Sequence, residues 1–496
     1  MAFINDVDNL SQPFMNATLV QQFKDVLQFV QSNHYPHIPN PSACQKRASV
    51  YVLSNPLCYW KGSYVNLQER YNGYPRAEML TLALYYSALI VRFRPSKAHS
   101  SSFDPTQCGA IAGSSQQRVE NFFSQPWVQE GEPEILFIKR AARAGDRWTS
   151  HIAFPGGGRE PLDEDDCAAS VRETREEVGL DLNADHCTQI GNLPEQVVTT
   201  WWSKVPYEMH HAGRIDVLLT LVTSLMVLCP YVHLVMRYDL PPLTLQPTEV
   251  KSAHWVSLRA LMSPHLRTLE PQDVSERFFR QASLPVRRIL RAVVGQLLFA
   301  ARELVPTESI HSRTLSDYRP TERPSENLIQ VVTSRLYRAL QVSQPVASGR
   351  DPPLILWGLT HGILANLLDL MPTENPTLMS DWPTLSPWDI RFTVWAYTYR
   401  FRRQQMKVFT QRKEAAGQAI KSVAEVYSLD NQTFTASNIL PINRLASQDI
   451  VGEMLDGYFD RLRIAIWIAL FFRVGLGTLM SALILQRWHR SRLSRF

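Results

Sequence analysis

Cysteine is scarce. Six residues in 496 (Cys44, Cys58, Cys108, Cys167, Cys187 and Cys229) lie far apart, with no CxxC pair. That spacing excludes a zinc ribbon and a disulfide scaffold, and it suits a reducing compartment. A charge bias is also missing: 51 Lys and Arg stand against 46 Asp and Glu, and +5 over this length points to no nucleic-acid partner. The N-terminus, MAFINDVDNLSQPF, has neither the basic start and apolar run of a secretory signal nor the Arg-rich amphipathic character of a transit peptide. No internal repeat is visible. What is there is a chain long enough for about three domains, with 45% hydrophobic residues, the content of a protein with a proper core.

Long hydrophobic runs are few. Met79 to Val91 is too short to cross a bilayer and reads as a buried strand. Val217 to Met236 is interrupted by Pro230 and His233 and reads as sheet and loop. Ile464 to Leu485 differs, because its single charge is Arg473. At about 1.5 Å per residue it spans a bilayer core. A central Arg costs about 2.5 to 3.5 kcal/mol on insertion, which the remaining apolar residues offset, and Trp467 and Trp488 suit interfacial anchors. The expectation is a single-pass tail anchor with a cytosolic body, in a membrane such as the mitochondrial outer or peroxisomal one. The competing reading is a buried amphipathic helix, which Arg473 favours.

Upstream, Ser386-Pro387-Trp388-Asp389 predicts a helix start with Ser386 as N-cap. That helix carries Arg400, Arg402, Arg403, Lys407, Arg412 and Lys413 before its next acid, Glu414. They form a solvated basic face or contact anionic lipid headgroups. Thr307 to Asn327 and Val342 to Pro353, rich in Pro, Ser and Thr, read as loops.

The chemistry concentrates in FPGGGREPLDEDDCAASVRETREEVGLDL, Phe154 to Leu182. With Ala168 to Val178 on a helix and Gly179 past its end, Val171, Thr174 and Val178 fall on one side and Glu173, Glu176 and Glu177 on the other. Carboxylates at i, i+3 and i+4 repel one another unless a cation sits among them. Oxygen-only ligands suit a hard divalent ion such as Mg²⁺ or Mn²⁺, and such ions also bind phosphate. Gly156, Gly157 and Gly158 let the backbone approach metal and substrate closely. Asp163, Asp165 and Asp166 lie in the connection before the helix and are expected to stay solvated.

Gly158, Glu164 and Arg172 to Leu180 (RETREEVGL), at spacings of five and seven residues, resemble the Nudix box. Thr174 departs from it, where the family prefers an aliphatic residue. The flanking stretches EILFIKR, QIGNLPE, CPYV, LTLQPTEVKSAHWVSL and LWGLTHGILANLLDLM are similar to the coenzyme A diphosphatase branch, from about Tyr85 to Met371. Trp148-Thr149-Ser150-His151 stands where that branch commonly has H-x-G-Q, a departure that bears on coenzyme A specificity and not on hydrolase class. His151 itself reads as a loop or core residue, with substrate contact as the alternative.

The resemblance implies an α/β fold, an α/β/α sandwich around a mixed sheet, and hydrolysis of a diphosphate linked to a second moiety. It implies Glu173 and Glu177 as the main metal ligands, Glu176 as a further ligand or the base, and Arg172 orienting the acids. Glu249 is a second candidate base, Gly156 to Gly158 form the substrate loop, and Glu164 is a structural or outer acid. Expected partners are a small coenzyme A-like diphosphate and a membrane, with no nucleic acid. Alternatives are a non-catalytic membrane scaffold, or an enzyme for ADP-ribose or dinucleotides. The expected layout is an extension over 1–79; the Nudix domain over 80–372, with insertions near 95–130, 203–226 and 268–352; a helical region over 384–460; and the span 464–485. Within the insertions, Tyr207 to Leu225 is either genuine or a retained non-coding segment.

Overall fold

In a computed structural model of the chain the described residues are 13–35, 82–96, 113–142, 149–160, 162–198, 225–273, 293–312, 353–371, 382–429, 454–455 and 457–493. The N-terminal residues 13–32 form helix α1 (Pro13–Ser32). The first hydrophobic run then becomes strand β1 (Leu82–Arg94), as its pattern predicts. Two helices follow, α2 (Ser115–Phe123) and α3 (Pro126–Gln129), before strand β2 (Glu132–Arg140). Short strands β3 (Ile152–Ala153) and β4 (Gly156–Gly158) precede helix α4 (Asp166–Val178). Strands β5 (Cys187–Asn192), β6 (Gln196–Val198), β7 (Leu225–Val235) and β8 (Val250–Ser257) come next, and a short helix α5 (Leu258–Met262) continues from β8. The Tyr207 to Leu225 stretch lies outside the described residues except for Leu225, the first residue of β7.

The main sheet is mixed. Its order is β11-β8-β2-β1-β7-β5, with β11 (Pro306–His311) at one edge and β3, β4 and β6 pairing β2, β1 and β7. Most pairs are antiparallel, but β1 runs parallel to β7, with Leu82 opposite Leu225 and Val91 opposite Leu234. Side chains alternate along a strand. Leu89, Val91 and Phe93 of β1 therefore join Ile135 and Phe137 of β2 on one face, while Ala88, Ile90, Leu136 and Ile138 take the other. The first face is covered by α1, α2, α3 and helix α6 (Gly358–Asp369); the second carries Val171 and Val178 of α4. Helices on both faces of a mixed sheet are the expected sandwich.

The expected boundary at residue 79 does not separate the extension from the core. Phe23, Val26, Leu27, Phe29 and Val30 of α1 are fully buried against the sheet. The expected insertion near 95–130 likewise contributes Phe122 and Phe123, whose rings meet Phe93 at 5.5 and 5.3 Å. The expected insertion at 268–352 contributes strands to a second, four-stranded sheet that later residues complete. There β10 (Leu297–Glu303) pairs with β9 (Arg267–Gln272), β12 (Ile355–Trp357) and β13 (Thr384–Leu385). The loop expected from Thr307 onward is corrected too: Pro306 to His311 is the edge strand β11, its polar residues exposed and its backbone laddered on β8.

The C-terminal region is two long helices, α7 (Trp388–Leu429) and α8 (Tyr458–Leu493). Ser386 is not the N-cap of α7. Its hydroxyl accepts from the Gln296 N–H at 2.9 Å instead, joining the helix start to β10. Ile390, Val394 and Phe409 of α7 pack on Tyr458, Leu462, Ala465 and Ala469 of α8, so the first part of the expected span has one side buried. Arg473 forks onto the Asp389 carboxylate, at 2.6 Å for its Nη2, and also donates to the Val293 carbonyl. Around and beyond it Phe471, Phe472, Val474, Leu476, Leu479, Met480, Leu483, Ile484 and Leu485 are exposed. By length and composition α8 is apolar enough to cross a membrane, with 6% of its most apolar window buried.

Candidate metal centre

Two turns of α4 set up the site. Asp165 caps the helix by accepting from the Ala168 N–H at 2.7 Å, and Gly179 closes it at φ 73° with its N–H on the Arg175 carbonyl. Thr174, the departure from the family pattern, is fully buried, and its hydroxyl returns to the Ser170 carbonyl at 2.8 Å. A helix advances 100° per residue, so Glu173 and Glu177 share an inward row while Glu176 turns away. Glu177 is 1% exposed and Glu173 7%, whereas the Glu176 side chain is 53% exposed.

The inward pair meets a third carboxylate. Glu249 closes a turn by donating its N–H to the Gln246 carbonyl, just before β8, and Gln246 donates its own N–H to the Glu177 carbonyl at 3.0 Å. That bond brings the turn up to the end of α4. Carboxylate oxygens of Glu173, Glu177 and Glu249 all lie within 4.8 Å of one another. Glu176 stands outside this group and pairs with Arg172 at 3.1 Å. The three acids assigned to one helix face thus divide, and the vacated place goes to a residue from a distant turn.

The glycines make room for these acids. Gly156 to Gly158 are strand β4, paired with Ser87, Tyr86 and Tyr85 of β1. The Gly156 N–H donates to Glu177 Oε2 at 2.9 Å. A Cβ on Gly156 would sit 2.1 Å from the Tyr86 carbonyl oxygen, and one on Gly157 2.2 Å from Glu173 Oε1. Only glycine allows that approach.

Arg172 holds the opposite side. Its Nε and Nη2 grip Asp163 at 3.0 and 3.2 Å, Nη2 also donates to the Gly158 carbonyl at 2.8 Å, and Nη1 reaches Glu173 at 3.2 Å. Burial alone would raise the Asp163 carboxyl, but the hydrogen bonds from Arg172 and the Glu160 N–H outweigh it and hold it below its ordinary value. The expectation that Asp163 and Asp166 stay solvated is overturned. Both are buried, and Asp166 accepts from Arg159 at 2.8 Å and from the Tyr86 hydroxyl at 3.0 Å. Arg159, Asp163 and Asp166 tie the connection before α4 to β1 and to Arg172. Nothing in their spacing marks them, because the partners are brought by the fold. Glu164 is exposed and contributes its carbonyl to Arg159.

Burial dominates the electrostatics of the acids. It pushes Glu177 up to about 8, although the Gly156 N–H and Arg140 oppose it and the neighbouring Glu173 and Glu249 add to it. Burial likewise pushes Glu173 up to about 7, against the opposing charge and hydrogen bond of Arg172. Such shifts mark a site whose charges need a cation. All three donors are carboxylate oxygens, which fit a hard divalent ion.

Comparisons with known proteins match part of the chain to one family. A family model, the NUDIX domain, matches residues 126–278. An uncharacterized protein of Schizosaccharomyces pombe is 26% identical over 380 residues, which cover 75% of this chain and 88% of that protein. The mitochondrial coenzyme A diphosphatase of Homo sapiens is 39% identical over 56 residues, 11% of this chain and 24% of that protein. The peroxisomal coenzyme A diphosphatase of Mus musculus is 42% identical over 50 residues, 10% and 21% respectively. The match thus spans a quarter or less of these two diphosphatases. Among solved structures, a NUDIX domain of Shewanella oneidensis complexed with ADP ribose covers 38% of this chain and 82% of its own at 12% identity, with a TM-score of 0.20. Residues 126–278 thus match a NUDIX domain, and strands and helices on both sides of them complete the sheet on which it is built.

Proposed function

We propose that the protein hydrolyses the diphosphate bond of coenzyme A or a related nucleoside-diphosphate derivative, with Mg²⁺ or Mn²⁺, while held at a membrane. The observation that carries the reading is the group of buried Glu173 and Glu177 with half-buried Glu249, beside glycines whose missing side chains leave room for the carboxylates. A divalent ion held there neutralises diphosphate oxygens and lowers the pKa of a bound water. The chain supplies the rest. Glu173 and Glu177 are the main ligands, fixed by Arg172 and by the Gly156 N–H. Glu249, which enters from a separate turn, is either a third ligand or the group that takes the proton from the attacking water. Glu176 on the exposed side balances Arg172 and, through it, sets the orientation of Glu173. The local likeness to coenzyme A diphosphatases supports the substrate class.

Membrane attachment is supported by two surfaces. The projecting part of α8 is apolar and exposed. On α7, Trp388, Phe392, Trp395 and Tyr399, all exposed, recur at helical spacing on one face and stack along it, with centroids 6.1 and 5.7 Å apart for the last two pairs. The exposed Arg400, Arg403 and Lys407 follow them, a combination that suits an anionic lipid surface; the side chains of Arg412 and Lys413 lie outside the described residues.

The test is a turnover assay with Mg²⁺ or Mn²⁺ over coenzyme A, acyl derivatives, ADP-ribose and dinucleotides, with Glu177→Gln as control. Hydrolysis of coenzyme A derivatives that the control lacks is expected. Equal, slow release by both proteins from every substrate would remove the catalytic reading. Loss of residues 464–496 is expected to release the protein from membranes, and retention there would remove the anchor.

A further inference from the structure

A cavity opens beside the carboxylate group, and part of its wall lies outside the matched NUDIX residues. Gly156, whose N–H bonds Glu177, lines it on one side, and Arg140, whose charge is felt by Glu177, lines it as well. The far wall is the turn from β12 into α6, with Trp357, Leu359, Thr360 and Ile363. The chain can turn there because Gly358 adopts φ 71°. Trp357 is ordered by its own strand, opposite Ala301 of β10, and by the Phe299 ring at 5.7 Å. Its ring lies 4.9 Å from that of His151, which leads into β3 of the main sheet. The cavity is therefore a seam between the two sheets, closed at one end by a tryptophan–histidine contact.

The walls are chiefly aliphatic and aromatic: Ile152, Phe154, Leu228, Leu359 and Ile363 face it together with Trp357. A nucleobase needs several donors and acceptors along its edge, and a site that buries those groups unpaired loses affinity. An extended, largely apolar arm with an occasional amide asks for fewer, and the Tyr85, Ser87 and Thr360 hydroxyls are present to meet them, with Arg140 on the carboxylate side and His151 against Trp357. We infer that this cavity receives the non-nucleotide arm of the diphosphate substrate, an acyl- or pantetheine-like chain, and that Trp357 is the residue that selects for it. The inference rests on the proposed function and gives it a specificity element, contributed by the second sheet.

The experiment measures kcat and KM of the full chain with Mn²⁺ on coenzyme A, a short acyl-coenzyme A and ADP-ribose, for wild type, Trp357→Ala, Trp357→Phe and Leu359→Trp. Trp357→Ala is expected to raise KM for the two arm-bearing substrates by about 10- to 100-fold with kcat little changed, the mark of lost binding shared by ground and transition states. ADP-ribose should shift less than about twofold. Trp357→Phe should restore most of the affinity. Leu359→Trp, which fills the cavity from a partly exposed helix position, should raise the same KM values, so the answer does not hang on whether Trp357→Ala folds well. A KM rise of equal size on all three substrates would place the shared nucleotide half in the cavity and overturn the inference, as would unchanged KM in both Trp357→Ala and Leu359→Trp. Wild type that leaves coenzyme A and its derivative intact would remove the functional reading itself, and the arm assignment with it, before any variant is compared.

Discussion

Adding one methyl group to Gly157 separates function from stability. In Gly157→Ala the new Cβ would lie 2.2 Å from Glu173 Oε1 and 2.3 Å from its Cδ, where ordinary contact begins at 3.4 Å. The carboxylate must therefore retreat by about 1.2 Å, roughly the misplacement that costs a hydrolytic site 10²-fold. The obstacle is the end of a side chain, so the fold gives way cheaply, and unfolding free energy is expected to stay within about 1 kcal/mol of wild type. Gly156→Ala meets backbone instead, the Tyr86 carbonyl at 2.1 Å and Ser87 Cα at 2.8 Å. It should cost about 1 to 3 kcal/mol as an overpacked contact. Chemical denaturation, Mn²⁺ titration by calorimetry and turnover, measured on both variants and on Gly417→Ala, whose new methyl meets nothing within 4 Å, give the comparison. Gly157→Ala should bind Mn²⁺ at least about tenfold more weakly and lose about 10² in kcat while melting normally. Wild-type turnover and metal affinity in that variant would refute the placement of Glu173 against β4.

Other outcomes follow from the same geometry. Glu173 and Glu177 titrate near 7 and 8 in the metal-free fold against 4.5 when unfolded. The native state then holds more protons than the unfolded one, and metal-free stability falls as pH rises from about 4.5 to about 8. The rise in Tm with Mn²⁺ should grow over the same window and level off above it, which scanning fluorimetry at stepped pH will read. Glu177→Gln should abolish the response to Mn²⁺ yet melt higher than wild type without metal near pH 8, because a neutral amide replaces a buried charge. Arg172→Lys keeps the charge but cannot fork between Asp163 and the Gly158 carbonyl, so kcat should drop about 10- to 100-fold with the melt little changed. Asp389→Asn breaks the ion pair to Arg473 and should speed tryptic cleavage after Arg473 several-fold without altering kcat.

The sequence made the local parts of the site readable. Arg172, Glu173 and Glu177 are fixed to one another by helix geometry, and Gly179 announces where that helix stops, so their relative placement follows from spacing and their roles from the resemblance to the Nudix box. Glu249 could be named beside them, but its distance to Glu177 depends on a turn held by a backbone bond that no spacing encodes. Asp163 and Asp166 were misjudged for the same reason. Loop acids look solvated until Arg172, Arg159 and Tyr86 arrive from elsewhere. In the scaffold, the short apolar run of β1 was legible as a buried strand. The burial of α1 and the pairing of the polar β11 were not, since each depends on what the fold places beside it.

The position of β1 in the chain has a consequence for how the protein is made. It is the central strand of the main sheet, yet it precedes residues 126–278 and pairs in parallel with β7, so that Leu82 waits for Leu225. During synthesis the sheet cannot close until the ribosome has delivered β7, and until then the apolar faces of β1 and β2 have only local cover. Contacts so distant in sequence slow folding and prolong exposure to aggregation. A recombinant fragment trimmed to the matched residues would lack its middle strand altogether, leaving β2 and β7 unpaired along the sides that β1 joins. Recombinant versions should therefore begin before α1, and low yield from shorter ones would reflect this order of assembly.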